Sequence, residues 1–244
     1  MTWIEFISYL SIAVGIIQAV VIVIDVIRYP QKMMPIMNIV WPLTGLYFPI
    51  VGIWAYYKLG RNKNQMHMNM DMGNMNMEVS MEMDHDHSRG HMHHQDKPFW
   101  QSVFVSTTHC SSGCSIGDLI GAPLVFAFGW MIAGSTMFAN YVVEFILAYL
   151  FGLLFQYYGM GFKKHDHPGQ AIKNAIKADT LSLVAFEIGM FGWMAVTGYL
   201  LFTIMPEPTS VVFWFMMQIA MMIGFITSYP ANWYLVKKGI KHAM

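Results

Sequence analysis

The chain has 244 residues, of which 56% are hydrophobic and only 11% charged, with mean hydropathy +0.44. A soluble domain carries about 25% charged residues, so an ordinary water-soluble globule is excluded, and a formal net charge of zero leaves no footprint for nucleic acid. The two cysteines, Cys110 and Cys114, stand only four positions apart, which excludes a disulfide framework and leaves a local dithiol or a pair of thiolate ligands.

Runs of eighteen or more mostly apolar residues read as membrane spans, because about 20 helical residues cross about 30 Å of hydrocarbon. The first run, 4–27, is too long for the apolar core of a cleavable signal and has no basic leader or small-residue cleavage site. It is expected to stay as span one. A turn with Arg28, Pro30 and Lys32 follows, then a second span predicted over 36–58 with Pro42 and Pro49 inside it; proline bends membrane helices without forbidding them.

Residues 59–98 are polar and unusual. Segment 66–94 holds nine methionines and six histidines among Asn, Asp and Glu, a setting that no apolar core accepts. Thioether is a soft, neutral ligand that selects Cu(I) and Ag(I), and imidazole suits copper, zinc and nickel. Met66, His67, Met68, Met70 and Met72 alternate so that neighbouring sulfurs can reach one ion. His85, His87, His91, His93 and His94, interleaved with Asp84 and Asp86, would also take Zn(II) or Cu(II). The segment is expected to be a flexible metal-collecting loop with copper as its ion and silver or zinc as alternatives. The bland alternative is a low-complexity linker.

One helix over 99–135 would extend about 55 Å, too long for one crossing. The preferred reading is a short interfacial helix at 99–108 followed by span three at 113–135; two spans are the alternative. Spans four to six are predicted at 138–159, 179–204 and 210–236, before a basic tail. The expected fold is thus an all-α integral membrane protein of about six helices, organised as two N-terminal spans (1–58), the Met/His loop (59–98) and a four-helix membrane domain (99–244). Cytoplasmic loops collect Lys and Arg. In this arrangement one face holds twelve of them, and the other only Arg28 and Lys32. Both termini and the loop are therefore expected on the cytoplasmic side of a bacterial inner membrane.

Within "STTHCSSGCSIGD" (106–118), Cys110, Cys114 and Asp118 share a helical face, with His109 beside them. Two thiolates and an imidazole make a candidate Cu(I), Ag(I) or Zn(II) site. The Ser-Ser-Gly between the cysteines would let the backbone unwind into a cup. A redox dithiol is the rival reading, although cysteines four apart on a straight helix lie near the limit of disulfide geometry. Close helix packing at Gly117 and Gly121 is the third.

The "HC-x-x-GC-x-x-GD" core, "KADTLSLVAFEIGMFGWMA" and the ending "YPANWYLVKKGIKHAM" together resemble the bacterial membrane-protein family DUF4396, over about residues 99–244. The resemblance implies a multi-helix membrane fold and singles out His109, Cys110, Cys114, Asp118 and Glu187; the family's annotation beside copper oxidases implies copper handling. It supplies no mechanism. Carboxylates inside spans are costly and point to function, here Glu144 and Glu187. Met190 and Met194 follow Glu187 on one helical face, and Met217 and Met221 are paired in the last span. These residues outline a path for a soft monovalent cation, against the commoner role of methionine as packing. The reading is a membrane protein that binds and translocates Cu(I) or Ag(I). The alternatives are a thiol–disulfide oxidoreductase using Cys110 and Cys114, and a chaperone or assembly factor that hands copper to a partner oxidase. No catalytic residue is assigned, and no phosphate-binding loop for ATP is present.

Overall fold

A computed structural model describes residues 2–31, 34–61, 98–159 and 168–241. Among them the protein is all-α, without strands, and five helices are long and apolar enough to cross a bilayer. It is an all-α membrane protein.

Helix α1 (Trp3–Arg28) starts at a capping box in which Thr2 and Glu5 each accept the other's backbone N–H, satisfying donors that a helix start leaves open. At 26 residues it is about 39 Å long, a full crossing. The expected second span differs from a straight crossing. Helix α2 (Met37–Tyr47) is only 11 residues, about 16 Å. It stops at Phe48-Pro49, and Ile50 takes φ 68°, a left-handed value that is strained for a β-branched residue. The chain then reverses into α3 (Val51–Ala55) and a π-helical turn, Tyr56–Gly60.

The reversal is plain at Gly52, where an added Cβ would lie 2.9 Å from Gly45 Cα and 3.0 Å from Thr44 O. In one continuous helix residues seven apart are separated by about 10 Å. Both ends of the hairpin sit beside the C-terminal end of α1. Asn38 Oδ1 accepts from Gln31 N at 2.8 Å, Tyr56 donates to Asp25 at 2.7 Å, Arg61 pairs with Asp25 at 3.1 Å and Gln31 donates to Gly60 O. The tip is clamped by Gln18 of α1. Its amide nitrogen donates to Gly45 O and to Phe48 O at 2.6 Å, and its oxygen accepts from Ile50 N at 2.9 Å. Segment 37–60 therefore enters from the face where α1 ends, reaches the middle of α1 and leaves by the same face. Hydropathy does not distinguish such a hairpin from a crossing, because both must be apolar.

Helix α4 (Phe99–Phe128) is one unbroken 30-residue helix, not a surface helix followed by a span. The polar run does not unwind it, because its hydroxyls bond back to carbonyls one turn earlier: Thr107 to Val103 (2.8 Å), Thr108 to Phe104 (2.9 Å), Ser112 to Thr108 (2.9 Å) and Ser115 to Ser111 (2.8 Å). The helix ends seven residues before 135, at Gly129 with φ 62°, a left-handed cap that glycine adopts without strain. Helix α5 (Thr136–Gly159) returns antiparallel to it. Helix α6 (Pro168–Val196), extended by a π-turn at Thr197–Leu201, and α7 (Val211–Lys237) complete the bundle. Helices α4 and α5 meet backbone to backbone along a small-residue stripe, with Gly113 on Gly152, Gly117 on Ala148 and Gly121 on Glu144, as membrane helices without a hydrophobic drive to associate require. Tyr229 donates to Trp100 O at 3.2 Å and Trp233 stacks edge-on against Phe99 at 4.8 Å, joining the end of α7 to the start of α4.

With five crossings the first residues of α1 and the C-terminal end would lie on opposite faces, whereas with six they would lie on one. The ends that flank 62–97 and 160–167 lie on the C-terminal face.

Candidate functional site in the bundle interior

Helix α4 puts its polar face into the protein interior. His109, Cys110, Ser111, Cys114, Ser115 and Asp118 are each at most 1% exposed, and both cysteines are free thiols. Cys110 and Cys114 lie one turn apart and interact with each other, while His109 points elsewhere. Cys110 faces α6, with its Sγ 3.3 Å from Ser182 Oγ. His109 packs on Phe155 of α5 at 6.1 Å between ring centroids, and neither of its nitrogens has a hydrogen-bond partner. One turn on from Cys110, Cys114 has Cys110, Glu187 and Asp118 as electrostatic neighbours, and Asp118 has Glu187 and Glu144. Glu144 (α5) and Glu187 (α6) are each 2% exposed. Both oxygens of Asp118 and both of Glu187 lack a well-formed hydrogen bond, an uncommon state for buried polar atoms, although the Cys114 thiol is a near neighbour of Glu187. Among the described residues no three His, Cys, Asp or Glu side chains come close enough together to hold a metal ion. The four residues expected from 109–118 line the interior without converging on one point.

The methionines of the expected path, Met190, Met194, Met217 and Met221, are buried. They belong, with Met216, to the same packed cluster as Cys114. Thioethers from α6 and α7 and the second thiol are thus parts of one buried core. Met66, His67, Met68, Met70, Met72, His85, His87, His91, His93 and His94 lie outside the described residues.

Sequence reasoning missed a second polar group at the C-terminal face. After α7 the chain bends at Gly239, which has φ 66°, and folds Lys241 back into the bundle. Its Nζ donates to Asp179 Oδ1 at 2.6 Å and to Asn232 Oδ1 at 2.8 Å, and both side chains of the ion pair are 0% exposed. Burial works against the ammonium, but Asp179 outweighs it and holds the Lys241 pKa above its ordinary value. Ser182 Oγ lies 3.2 Å from the same Asp179 oxygen. Polar groups therefore run from Lys241 through Asp179 and Ser182 to Cys110. The one signal in the sequence is Asp179 at the head of a long apolar stretch; its partner lies 62 residues away, beyond any local pattern.

The family model described as a domain of unknown function, DUF4396, matches residues 99–241. The chain belongs to the DUF4396 family. The match opens on the first residue of α4 and closes on Lys241, so the DUF4396 region contains the thiols, the carboxylates and the buried ion pair, while α1, the hairpin and the Met/His segment precede it. No curated protein and no solved structure matches the chain.

Proposed function

We propose that this DUF4396 protein binds soft monovalent cations, Cu(I) or Ag(I), inside the bilayer of a bacterial inner membrane and passes them across it. The observation that carries the reading is the setting of the two thiols: Cys110 and Cys114 are free and buried, Cys114 shares one buried core with five methionines, and the carboxyl groups of Asp118 and Glu187 are its electrostatic neighbours without a well-formed hydrogen bond of their own. Soft sulfur donors in a dry interior favour Cu(I) and Ag(I) over hard cations. These ions are content with two sulfur ligands, which the thiol pair can offer without a third His, Cys, Asp or Glu. A tetrahedral zinc site needs four donors. A thiol that takes up the ion must release its proton, and Asp118 and Glu187 are the nearest groups able to receive it.

The charge distribution supports a direction for capture. Among the described residues, Arg28, Lys58, Arg61, Lys237, Lys238 and Lys241 stand on the face where α1 ends, and the segments 129–135 and 202–210 that turn at the opposite face hold no Lys or Arg. By the positive-inside rule that face is cytoplasmic. The Met/His segment and the C-terminal end then face the cytoplasm, and the first residues of α1 face the other side. A cytoplasmic collector suits export or tolerance.

The thiol–disulfide reading has less support, because α4 runs unbroken through both cysteines and cysteines four apart on a straight helix lie near the limit of disulfide geometry. A chaperone that hands copper to a partner oxidase shares the binding step and differs only in lacking flux.

The test is equilibrium Ag(I) and Cu(I) binding to the purified full chain and to Cys110→Ser/Cys114→Ser, followed by metal flux in proteoliposomes. The double variant should lose the tightest site and keep weaker binding from the Met/His segment. Deletion of 62–97 should do the reverse. Unchanged tight binding in the double variant would overturn the proposal, and binding without flux would favour the chaperone.

A further inference from the structure

We propose that Asp179, Asn232 and Ser182 form a monovalent-cation site at the mouth of the thiol pair, filled in this structure by the tethered ammonium of Lys241. The inference deepens the function proposed above and rests on it only for the identity of the cargo; the site stands on its own geometry.

An ammonium has three protons to donate. Here it has two oxygen acceptors, Asp179 Oδ1 at 2.6 Å and Asn232 Oδ1 at 2.8 Å. The second carboxylate oxygen, Asp179 Oδ2, is buried with no partner. His109, whose nitrogens are also unpartnered, lies within electrostatic reach of both Lys241 and Asp179. The acceptors thus exceed what one lysine uses. A pair kept purely for stability would saturate its own oxygens, because burying an ion pair repays its desolvation only when the remaining lone pairs are satisfied.

The attachment of Lys241 is local and short. Helix α7 ends at Lys237, the chain turns through left-handed Gly239, and the backbone N–H groups of Ile240 and Lys241 both reach Leu235 O, at 3.0 and 3.3 Å. Releasing this strap means undoing one helix-end cap and leaves all five crossing helices in place. Behind the ammonium, Ser182 Oγ links Asp179 Oδ1 (3.2 Å) to Cys110 Sγ (3.3 Å). A monovalent cation that replaces Lys241 at Asp179 keeps the carboxylate paired, and the oxygen that holds it is two hydrogen-bond lengths from the first thiol. The exchange of one monovalent cation for another leaves the net charge of the interior unchanged.

The test reads the thiol and not the metal. In a Cys114→Ser background, where Cys110 is the sole cysteine, the rate of Cys110 modification by 2-aminoethyl methanethiosulfonate is measured on the purified chain in nanodiscs. Lys241→Ala should raise that rate at least tenfold, and Lys241→Arg should leave it unchanged. Ethylammonium at tens of millimolar should restore protection in Lys241→Ala, while choline at equal ionic strength, too bulky and without N–H donors, should not. Should Lys241→Ala fail to stay monodisperse, ethylammonium but not choline must restore the fold. Equal Cys110 rates in Lys241→Ala and the parent, equal effects of ethylammonium and choline, or no rescue by either would overturn the site. None of these readouts involves copper or silver, so failure of the soft-metal reading would leave them standing.

Discussion

Gly117→Ala tests the packing that holds α4, and with it both thiols, against α5. A Cβ on Gly117 would stand 2.2 Å from Ala148 N, 2.4 Å from Ala148 Cα and 2.6 Å from Leu147 C. Ordinary carbon contacts lie near 3.5–4.0 Å, so the methyl is more than about 1 Å too close. The obstructing atoms are all backbone, so no side-chain rotation relieves the clash and the helices must part. Overpacking costs about 1–3 kcal/mol, and a rigid backbone wall puts this site at or above the top of that range. Alanine's better helix propensity returns about 1 kcal/mol, for a net loss of about 2 kcal/mol. Gly192 on α6 is the matched control, since nothing lies within 4 Å of its added Cβ. Gly192→Ala should therefore gain about 0.5–1 kcal/mol. The assay is reversible unfolding in mixed micelles of rising dodecyl sulfate fraction, followed by tryptophan fluorescence. The two variants should differ by about 3 kcal/mol, and values within about 0.5 kcal/mol of each other would refute the backbone-contact argument.

Two further predictions concern the re-entrant hairpin. Gln18→Leu removes the side chain that holds Gly45 O, Phe48 O and Ile50 N at the tip. Leaving those buried groups unpaired should cost about 2–4 kcal/mol, read as a lower unfolding midpoint, and a cost below about 0.5 kcal/mol would show that the clamp is idle. Reporter fusions test the crossing number: alkaline phosphatase should be active before α1 and silent after residue 61 or residue 241, with a fluorescent-protein fusion giving the converse. Like signals at the two ends of the chain would restore an even number of crossings.

The membrane class was legible because hydropathy over 20 residues is a strong, local signal. Helices α1, α5 and α7 fall within about two residues of where periodicity and composition put them. The approach of α4 to α5 at Gly117 and Gly121 was legible too, since spacing by four marks one face. The hairpin was not. An apolar stretch that turns back midway along α1 has the composition of one that continues, and its determinants lie elsewhere in the chain, on Gln18 and Asp25. The continuity of α4 was hidden for a different reason. Its serines and threonines read as breaks when counted as polar residues, yet each carries a hydroxyl that its own helix can satisfy. The group of Asp179, Ser182, Asn232 and Lys241 depends on two chain segments that meet only after folding, and no period in either one announces it.

Packing and function make opposite demands at Glu187, and one substitution separates them. As a purely structural element its carboxyl group is a burden: at 2% exposed, with no well-formed hydrogen bond and only the weakly interacting Cys114 thiol nearby, it forfeits about 1–3 kcal/mol even in the neutral form and more if ionised. Glu187→Met supplies an unbranched side chain of similar length and adds a thioether to a neighbourhood that already holds Met190 and Met194. If the carboxyl group is retained for a proton released by Cys114, the variant should be more stable than the parent by about 1–3 kcal/mol and still bind Ag(I), but should lose metal flux in proteoliposomes. Glu187→Gln should fall between the two in stability and share the loss of flux. A Glu187→Met protein that is less stable than the parent would mean that the carboxyl group is bonded in the membrane and serves the fold. One that is more stable and transports normally would remove Glu187 from the path.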